Sequence, residues 1–449
     1  MKQLIDFPYS NVLVLGLARS GTAAANVLLE NSKSVRINDM HAKEDDETVE
    51  ELKSKGAEVI LGTHPLHVLD GIDIIVKNPG IPYDNIILAE AMKRDIPIIT
   101  EIELAGQLAD GEIIAITGSN GKTTTTTLTT EMLSESSLAV KVAGNIGLVA
   151  TEIAQTVERD ESLVLELSSF QLLGIQRFKP SIAVLLNIFE AHLDYHKTME
   201  NYMGAKFNIF RNQTETDYLV YNADDTKIVT AIEKAPSIKV PFSVTQRLPN
   251  GAWMDQDYLY YREEKVMPIA DIVLVGAHNL ENILAAIAAA KLRGATNEGI
   301  YKVLTTFSGV KHRLQFVDNI KQRLFYNDSK ATNMLATQKA LSSFKQPVIL
   351  LAGGLDRGND FQALLPYLKH VKGLVVFGQT AEKLKKLGEQ ADITNIVAAE
   401  DVEDAVVKAY QASAEEDVIL LSPACASWDQ YRTFEERGDM FIQAVHRLK

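Results

Sequence analysis

The sequence predicts an α/β protein of three domains, and three observations carry that expectation. Short β-branched runs alternate with helical stretches along nearly the whole chain, the rhythm of parallel sheets covered by helices. The runs fall into three series, beginning near residues 12, 112 and 347. A length of 449 residues accommodates three units of ordinary domain size. Boundaries near 100 and 310 divide the chain into 1–100, 101–309 and 310–449.

In the first series, strands are expected at 12–18 (VLVLGLA), 34–40, 58–62 and 72–76. The turn GLARSG (16–21) follows the first strand and is similar to a dinucleotide fingerprint, but it has only Gly16 and Gly21. Asp39 ends the second strand about 20 residues later, where an acid could reach a ribose or base. A tight turn with a helix-capping Asp explains the same residues. KNPGIP (77–82) closes a further strand, and its Asn and Gly either present N–H groups to a diphosphate or simply turn the chain. The missing middle glycine speaks against an NAD-dependent dehydrogenase.

The second series opens with EIIAITG and continues through LVLELS (163–168) and IAVLLNI (182–188). Between its first strand and the following helix lies TGSNGKTTTT (117–126), a phosphate-cradling loop. Gly118 and Gly121 let the backbone approach phosphate oxygens, Lys122 reaches the β- and γ-phosphates, and the Thr123 hydroxyl serves Mg²⁺. Ile116 stands where the general pattern has its first glycine. Glu166 in LELSSFQL and His192 in NIFEAHLDYH fall at the carboxyl ends of strands, where open α/β sheets collect ligands. Residues 251–269 alternate like antiparallel strands. The third series comprises PVILLAGG (347–354), GLVVFG (373–378) and DVILLSPA (417–424).

Composition narrows the function classes. A net charge of −14 argues against a nucleic-acid partner. The one cysteine, Cys425, excludes an intrachain disulfide and fits a buried structural role in a reducing compartment. No signal peptide opens the chain, and no apolar stretch is long enough to insert in a membrane, so a cytoplasmic protein is expected.

Together TGSNGKTTTT, GNIG (144–147), LELSSFQL, AHLDYH, HNLENILAA (278–286), His312-Arg313 and NDSKATN (327–333) resemble the Mur ligases, in the family's order and over nearly the whole chain. The resemblance implies a Rossmann-like N-terminal domain for the UDP-linked substrate, a P-loop ATPase-like central domain and a Rossmann-like C-terminal domain for the amino acid. GLARSG and SPACASWDQY (422–431), with Phe434 and Arg437-Gly438, look like the D-glutamate-adding branch. The implied reaction joins D-glutamate to UDP-N-acetylmuramoyl-L-alanine with ATP through an acyl phosphate, by a monomer using two Mg²⁺ ions, in peptidoglycan synthesis. Phosphoryl transfer is needed because a carboxylate is a poor electrophile.

By the same resemblance, Gly118, Ser119, Asn120, Gly121, Lys122, Thr123 and Thr124 hold ATP, with Asn279, Asn282, Arg313 and Asp328. Leu17, Ala18, Asp39, Asn78, Gly80, Asn145 and Gln171 contact the UDP substrate. Thr332, Arg357, Ser427, Trp428 and Phe434 form the D-glutamate pocket; other members often carry Lys and Leu in place of Arg357 and Trp428. Lys122, His192, Lys206 and Lys330 are the expected catalytic residues. Thr123, Glu166, His192 and Lys206 serve the metals, Lys206 as a carbamate, since an ammonium would repel Mg²⁺. A domain-closing hinge is expected near 309–313.

Overall fold

The computed structural model describes residues 2–274, 276–307 and 309–448. Among the described residues there are three sheets. The first contains β1 (Asn11–Leu15), β2 (Ser34–Asp39), β3 (Glu58–Leu61), β4 (Ile74–Lys77) and β5 (Ile98–Ile99). All its pairings are parallel, in the order β3-β2-β1-β4-β5. That is the Rossmann order, and strand succession reverses between β1 and β4. The turns after these two strands therefore meet. Gly16 has a φ of 94°, and a Cβ there would lie 2.9 Å from Asn78 Cβ and from Ile81 Cδ1, so only glycine permits the approach.

The second sheet is built from β6 (Glu112–Thr117), β7 (Val140–Gly144), β8 (Ser162–Glu166), β9 (Ile182–Leu185), β10 (Tyr218–Asn222), β11 (Ile238–Ser243), β12 (Ala252–Met254), β13 (Tyr258–Tyr261) and β14 (Glu264–Pro268). Its order is β14-β13-β12-β11-β10-β9-β6-β8-β7, parallel except for the antiparallel β12–β14 meander. β8 and β9 are buried at every position, which is why they read as continuous apolar runs.

The third sheet holds β15 (Gln315–Ile320), β16 (Arg323–Asn327), β17 (Val348–Gly353), β18 (Val371–Phe377), β19 (Asn395–Ala398) and β20 (Val418–Leu421), in the order β15-β16-β20-β17-β18-β19. Only β15 is antiparallel to its neighbour. Strands β19-β18-β17-β20 repeat the Rossmann 3-2-1-4 pattern, and β16 and β15 fill the remaining edge. Separate apolar clusters cover its two faces, one around Phe344, Phe361 and Leu364 and the other around Val402, Ala409 and Phe441.

The chain forms two compact units, Met1–Asp271 with Leu280–Val303 and Ile272–Asn279 with Leu304–Lys449. The first unit carries two sheets because they share a core. Ile99, Ile102 and Leu104 belong to the same apolar cluster as Ala150, Leu172 and Phe178. Buried Glu103 reinforces this junction by accepting the N–H groups of Gln176, Arg177 and Phe178 at 2.8, 2.8 and 3.0 Å.

Candidate active site

The phosphate loop runs from β6 into the helix Lys122–Glu135. Gly121 caps that helix at a φ of 82°, and a Cβ there would fall 2.0 Å from Asn282 Oδ1. Gly118 is equally confined, 2.8 Å from Leu186 Cβ by the same measure. Asn187, just beyond β9, braces the loop: its carbonyl accepts from Ser119 N at 2.9 Å and its Oδ1 from Asn120 N at 2.9 Å. Ser119 Oγ lies 2.8 Å from the Tyr202 hydroxyl. Lys122 Nζ donates to the carbonyls of Gly118 and Ser119 at 2.9 and 3.1 Å. Thr123 is buried at the helix start and Thr124 is half-buried beside it. Asn279 and Asn282 are buried on the helix Ala277–Leu292.

Glu166, Lys206 and His192 gather next to this loop. Glu166 ends β8 and is buried; Asn145 Nδ2 donates to its Oε1 at 2.8 Å, while Oε2 makes no hydrogen bond. Lys206 is 2% exposed, donates to the Gly118 carbonyl at 2.8 Å and lies 4.9 Å from the Tyr202 ring centre. Burial first, and then Lys122, hold its ammonium form far below the usual lysine range, against an opposing pull from Glu166. His192 adopts left-handed backbone angles, φ 56° and ψ 34°, a strained conformation typical of functional sites. Burial, Lys206 and Lys122 push its proton affinity down.

These residues fit divalent metal ions. A buried carboxylate oxygen without a partner, an imidazole disfavoured as a cation and a threonine hydroxyl form a suitable hard donor set. Among the described residues, no three His, Cys, Asp or Glu side chains suffice to hold a metal alone.

At the reversal point of the first sheet, a cavity of about 360 Å³ is lined by Gly16, Ala18, Asn38, Asp39, Asn78 and Gly80, among others. Asp39 binds its own surroundings: Leu17 N donates to Oδ2 at 2.7 Å, and the N–H groups of His41 and Ala42 donate to Oδ1 at 2.7 Å each. The turn after β4 is also internally bonded, because Gly80 N donates to Asn78 Oδ1 at 3.0 Å and Ile81 N to Asn78 O at 3.1 Å. The N–H groups expected to face a diphosphate thus already have acceptors. Gln171 Oε1 caps the helix Ser169–Leu172 through Ser168 N and Oγ, which leaves its amide nitrogen to turn toward a ligand. Asn145, expected at the UDP substrate, is bonded to Glu166 and is not among the residues lining this cavity.

In the second unit, buried Arg437 ties three loops at the carboxyl ends of β16, β17 and β20. It donates to Ser329 Oγ and O at 3.0 and 2.8 Å, to Cys425 O at 3.1 Å and to Gly353 O at 3.5 Å. Lys330 lies 5.2 Å from the Phe434 ring centre, and the Arg357 guanidinium 4.9 Å from that of Trp428. Ser427 is buried and its Oγ makes no hydrogen bond. Thr332 is half-buried, its N–H on the Lys330 carbonyl at 2.8 Å. Asp328 accepts from Leu314 N at 3.1 Å and Ser422 Oγ at 2.9 Å, and burial lifts its carboxyl to about 7 although Arg313 opposes this. Cys425 is buried, with its thiol pushed up by desolvation.

Sequence reasoning did not single out Asn187, Tyr195, His196, Tyr202 or Lys77. His196 is buried, 2.9 Å from Ser169 Oγ through Nε2 and stacked on Phe170, and burial lowers it to about 4. The HLDYH spacing was the available signal, since a one-turn helix brings His192 and His196 onto one aromatic cluster.

Comparison with known proteins gives a consistent result. The Mur ligase MurD-like N-terminal domain matches residues 10–100, the Mur ligase middle domain 116–290, and the Mur ligase glutamate ligase domain 312–425. UDP-N-acetylmuramoylalanine–D-glutamate ligase of Oceanobacillus iheyensis is 64% identical over 449 residues, covering 100% of both chains. The protein of the same name from Bacillus mycoides is 55% identical with the same coverage. Among solved structures, UDP-N-acetylmuramate–alanine ligase MurC of Thermotoga maritima aligns with a TM-score of 0.57 at 18% identity, over 98% of this chain and 100% of its own. MurF ligase of Thermotoga maritima in complex with ADP aligns with a TM-score of 0.56 at 17% identity, over 100% of this chain and 98% of its own.

Proposed function

Because the chain belongs to the Mur ligase family, we infer that its activated carboxyl group is made at the loop 118–124 and converted to an amide there. It is an ATP-dependent ligase that adds D-glutamate to UDP-N-acetylmuramoyl-L-alanine in peptidoglycan precursor synthesis. The alanine carboxylate attacks the γ-phosphorus of ATP, the bond to the β–γ bridging oxygen breaks, and ADP leaves. The resulting acyl phosphate is attacked by the D-glutamate amine; the tetrahedral intermediate loses phosphate and a proton, leaving the amide. Little bond chemistry falls to the protein, so its contribution is positioning and charge stabilisation.

Lys122, with the N–H groups of the loop, holds the β- and γ-phosphates, and the buried Asn187 brace fixes the loop's shape. Thr123, Glu166, His192 and a carbamylated Lys206 would hold two Mg²⁺ ions, which when bound neutralise charge on the transferring phosphoryl group. Burial of Lys206 favours the free amine, which takes up CO₂ and releases a proton to give the carbamate. Asn279, Asn282, Arg313 and Asp328 serve ATP, and Lys330 stabilises the reacting centre. Ser427, with Thr332, Arg357, Trp428 and Phe434, receives D-glutamate; its unbonded hydroxyl supports this. Leu17, Ala18, Asp39, Asn78, Gly80, Asn145 and Gln171 hold the UDP substrate, and Asp39 also fixes the Leu17 turn. Domain boundaries near 100 and 310, a monomeric state and a cytoplasmic location complete the reading; among the described residues no helix is long and apolar enough to cross a membrane.

The observation that carries the site assignment is the unpartnered Glu166 oxygen beside the buried amine of Lys206 under the phosphate loop. Phosphate release is to be measured with UDP-N-acetylmuramoyl-L-alanine, ATP and a panel of amino acids. Only D-glutamate should give sustained release, and Lys122→Ala should lower it at least 100-fold. Undiminished amide synthesis by Lys122→Ala would defeat the assignment.

A further inference from the structure

The cavity in the first sheet presents an electrostatic puzzle. A UDP-linked substrate brings a diphosphate with two negative charges, yet the lining residues include no lysine or arginine and do include Asp39. The turn that should cradle the anion has its Gly80 and Ile81 N–H groups already bonded. The nearby Arg19 side chain donates to the Gly147 carbonyl at 2.6 Å.

One cation lies directly beneath this turn. Lys77, the last residue of β4, is 1% exposed. Its ammonium donates to the carbonyls of Asn78 and Pro79, both at 3.1 Å, and to the Tyr195 hydroxyl at 3.3 Å. Tyr195 in turn donates to the Ile81 carbonyl at 3.0 Å, and the Tyr83 ring centre is 5.1 Å from Nζ. Three donors therefore meet three neutral oxygens, and among the described residues Lys77 has no ion-pair partner. A buried cation without a counter-charge is costly unless an anion arrives to complete it.

We propose that Lys77 is a binding determinant for the substrate diphosphate, its buried ammonium acting through the Asn78–Pro82 turn as the missing counter-charge. This rests on the reading of the cavity as the UDP-substrate site. Other charged or titratable groups near Lys77 are Tyr83 and Asp84 from its own loop and Tyr195, His196 and Lys197 from the facing segment, with Asp84 and Lys197 paired at 3.7 Å. Desolvation lowers Lys77 to about 7. An arriving anion raises that value, so binding at pH 8 draws a proton onto the amine.

The test is calorimetric titration of UDP-N-acetylmuramoyl-L-alanine into the full chain at pH 8, in two buffers of unequal ionisation enthalpy. The wild type should take up a fraction of a proton on binding. Lys77→Met should take up less and bind at least tenfold more weakly, with its affinity for Mg²⁺-ATP unchanged. A purely structural role would disturb both ligands alike and leave the proton count untouched. The cavity histidines His41 and His64 are common to both proteins, so the difference isolates Lys77. Tyr195→Phe removes one acceptor from the ammonium with and without ligand, so the pH of greatest proton uptake should fall, which keeps the idea testable if Lys77→Met fails to fold. Binding without proton uptake by the wild type, or unchanged affinity in Lys77→Met, overturns the Lys77 assignment alone; no binding by the wild type overturns the UDP-site reading as well.

Discussion

Lys206 bears the heaviest demand of any single residue. As an ammonium it would be a buried cation beside the metal-binding groups; as a carbamate it becomes an anionic oxygen ligand. Lys206→Ala should lower kcat at least 100-fold without loss of fold, and added formate or acetate should restore part of it by filling the oxygen-ligand place. Full turnover without added carboxylate would remove the carbamate from the mechanism. Gly121→Ala tests the loop itself. The new methyl meets Asn282 Oδ1 and the left-handed backbone at once, so the KM for ATP should rise at least tenfold. The phosphate loop, Glu166 and His192 were expected at the site because the loop and Glu166 lie at strand ends of a recognisable α/β series and His192 lies in the segment after the next strand. Lys206 came from resemblance alone, since a lysine on a helical stretch carries no local signature. Lys77 stayed hidden because nothing in KNPGIP reveals that its lysine points inward against Tyr195.

At the level of elements, the strands were read closely because buried parallel strands leave uninterrupted β-branched runs, as in β8 and β9. The boundary near 100 was less informative. The helix Glu101–Leu108 that follows it buries both acidic residues of its first turn. Glu103 is fully engaged by three N–H groups, whereas Glu101 accepts Thr151 N at 2.5 Å and is otherwise desolvated, which lifts its carboxyl to about 7. Apolar periodicity cannot report that a helix start will be enclosed by a neighbouring domain. The consequence is a pH dependence of known sign. Between about 4.5 and about 7 the folded protein holds a proton that the unfolded chain has released, so Glu101 lowers stability as pH rises through that window. The shift corresponds to an upper bound of roughly 3 kcal/mol above pH 7. Glu101→Gln keeps the acceptor for Thr151 without the charge. Its melting temperature should exceed that of the wild type at pH 8 and match it at pH 4; equal values at both would mean that Glu101 is not held protonated.

Across the whole molecule, the sequence's three series became three sheets in two compact units, because the first two sheets close over one apolar cluster. Counting strand series finds sheets; it does not reveal which sheets merge their cores, since that depends on residues far apart in sequence, such as Ile102, Leu104 and Phe178, joining one cluster. The edge of the third sheet, where β16 and β15 take places outside the Rossmann succession, was likewise invisible to a reading based on local runs. The division into units has a thermodynamic signature. Each unit has apolar clusters of its own, so heating should produce two calorimetric transitions rather than one. The residues assigned to UDP all lie in the unit holding the first two sheets, and those assigned to D-glutamate all lie in the other. A ligand that binds only a folded unit stabilises that unit by about 2.7 kcal/mol at 100 times its Kd. UDP should therefore move one transition upward by several degrees and leave the other in place, and D-glutamate should do the reverse. A single transition displaced as a whole by either ligand would show that the two units fold as one and that stability, unlike the cores, is not partitioned between them.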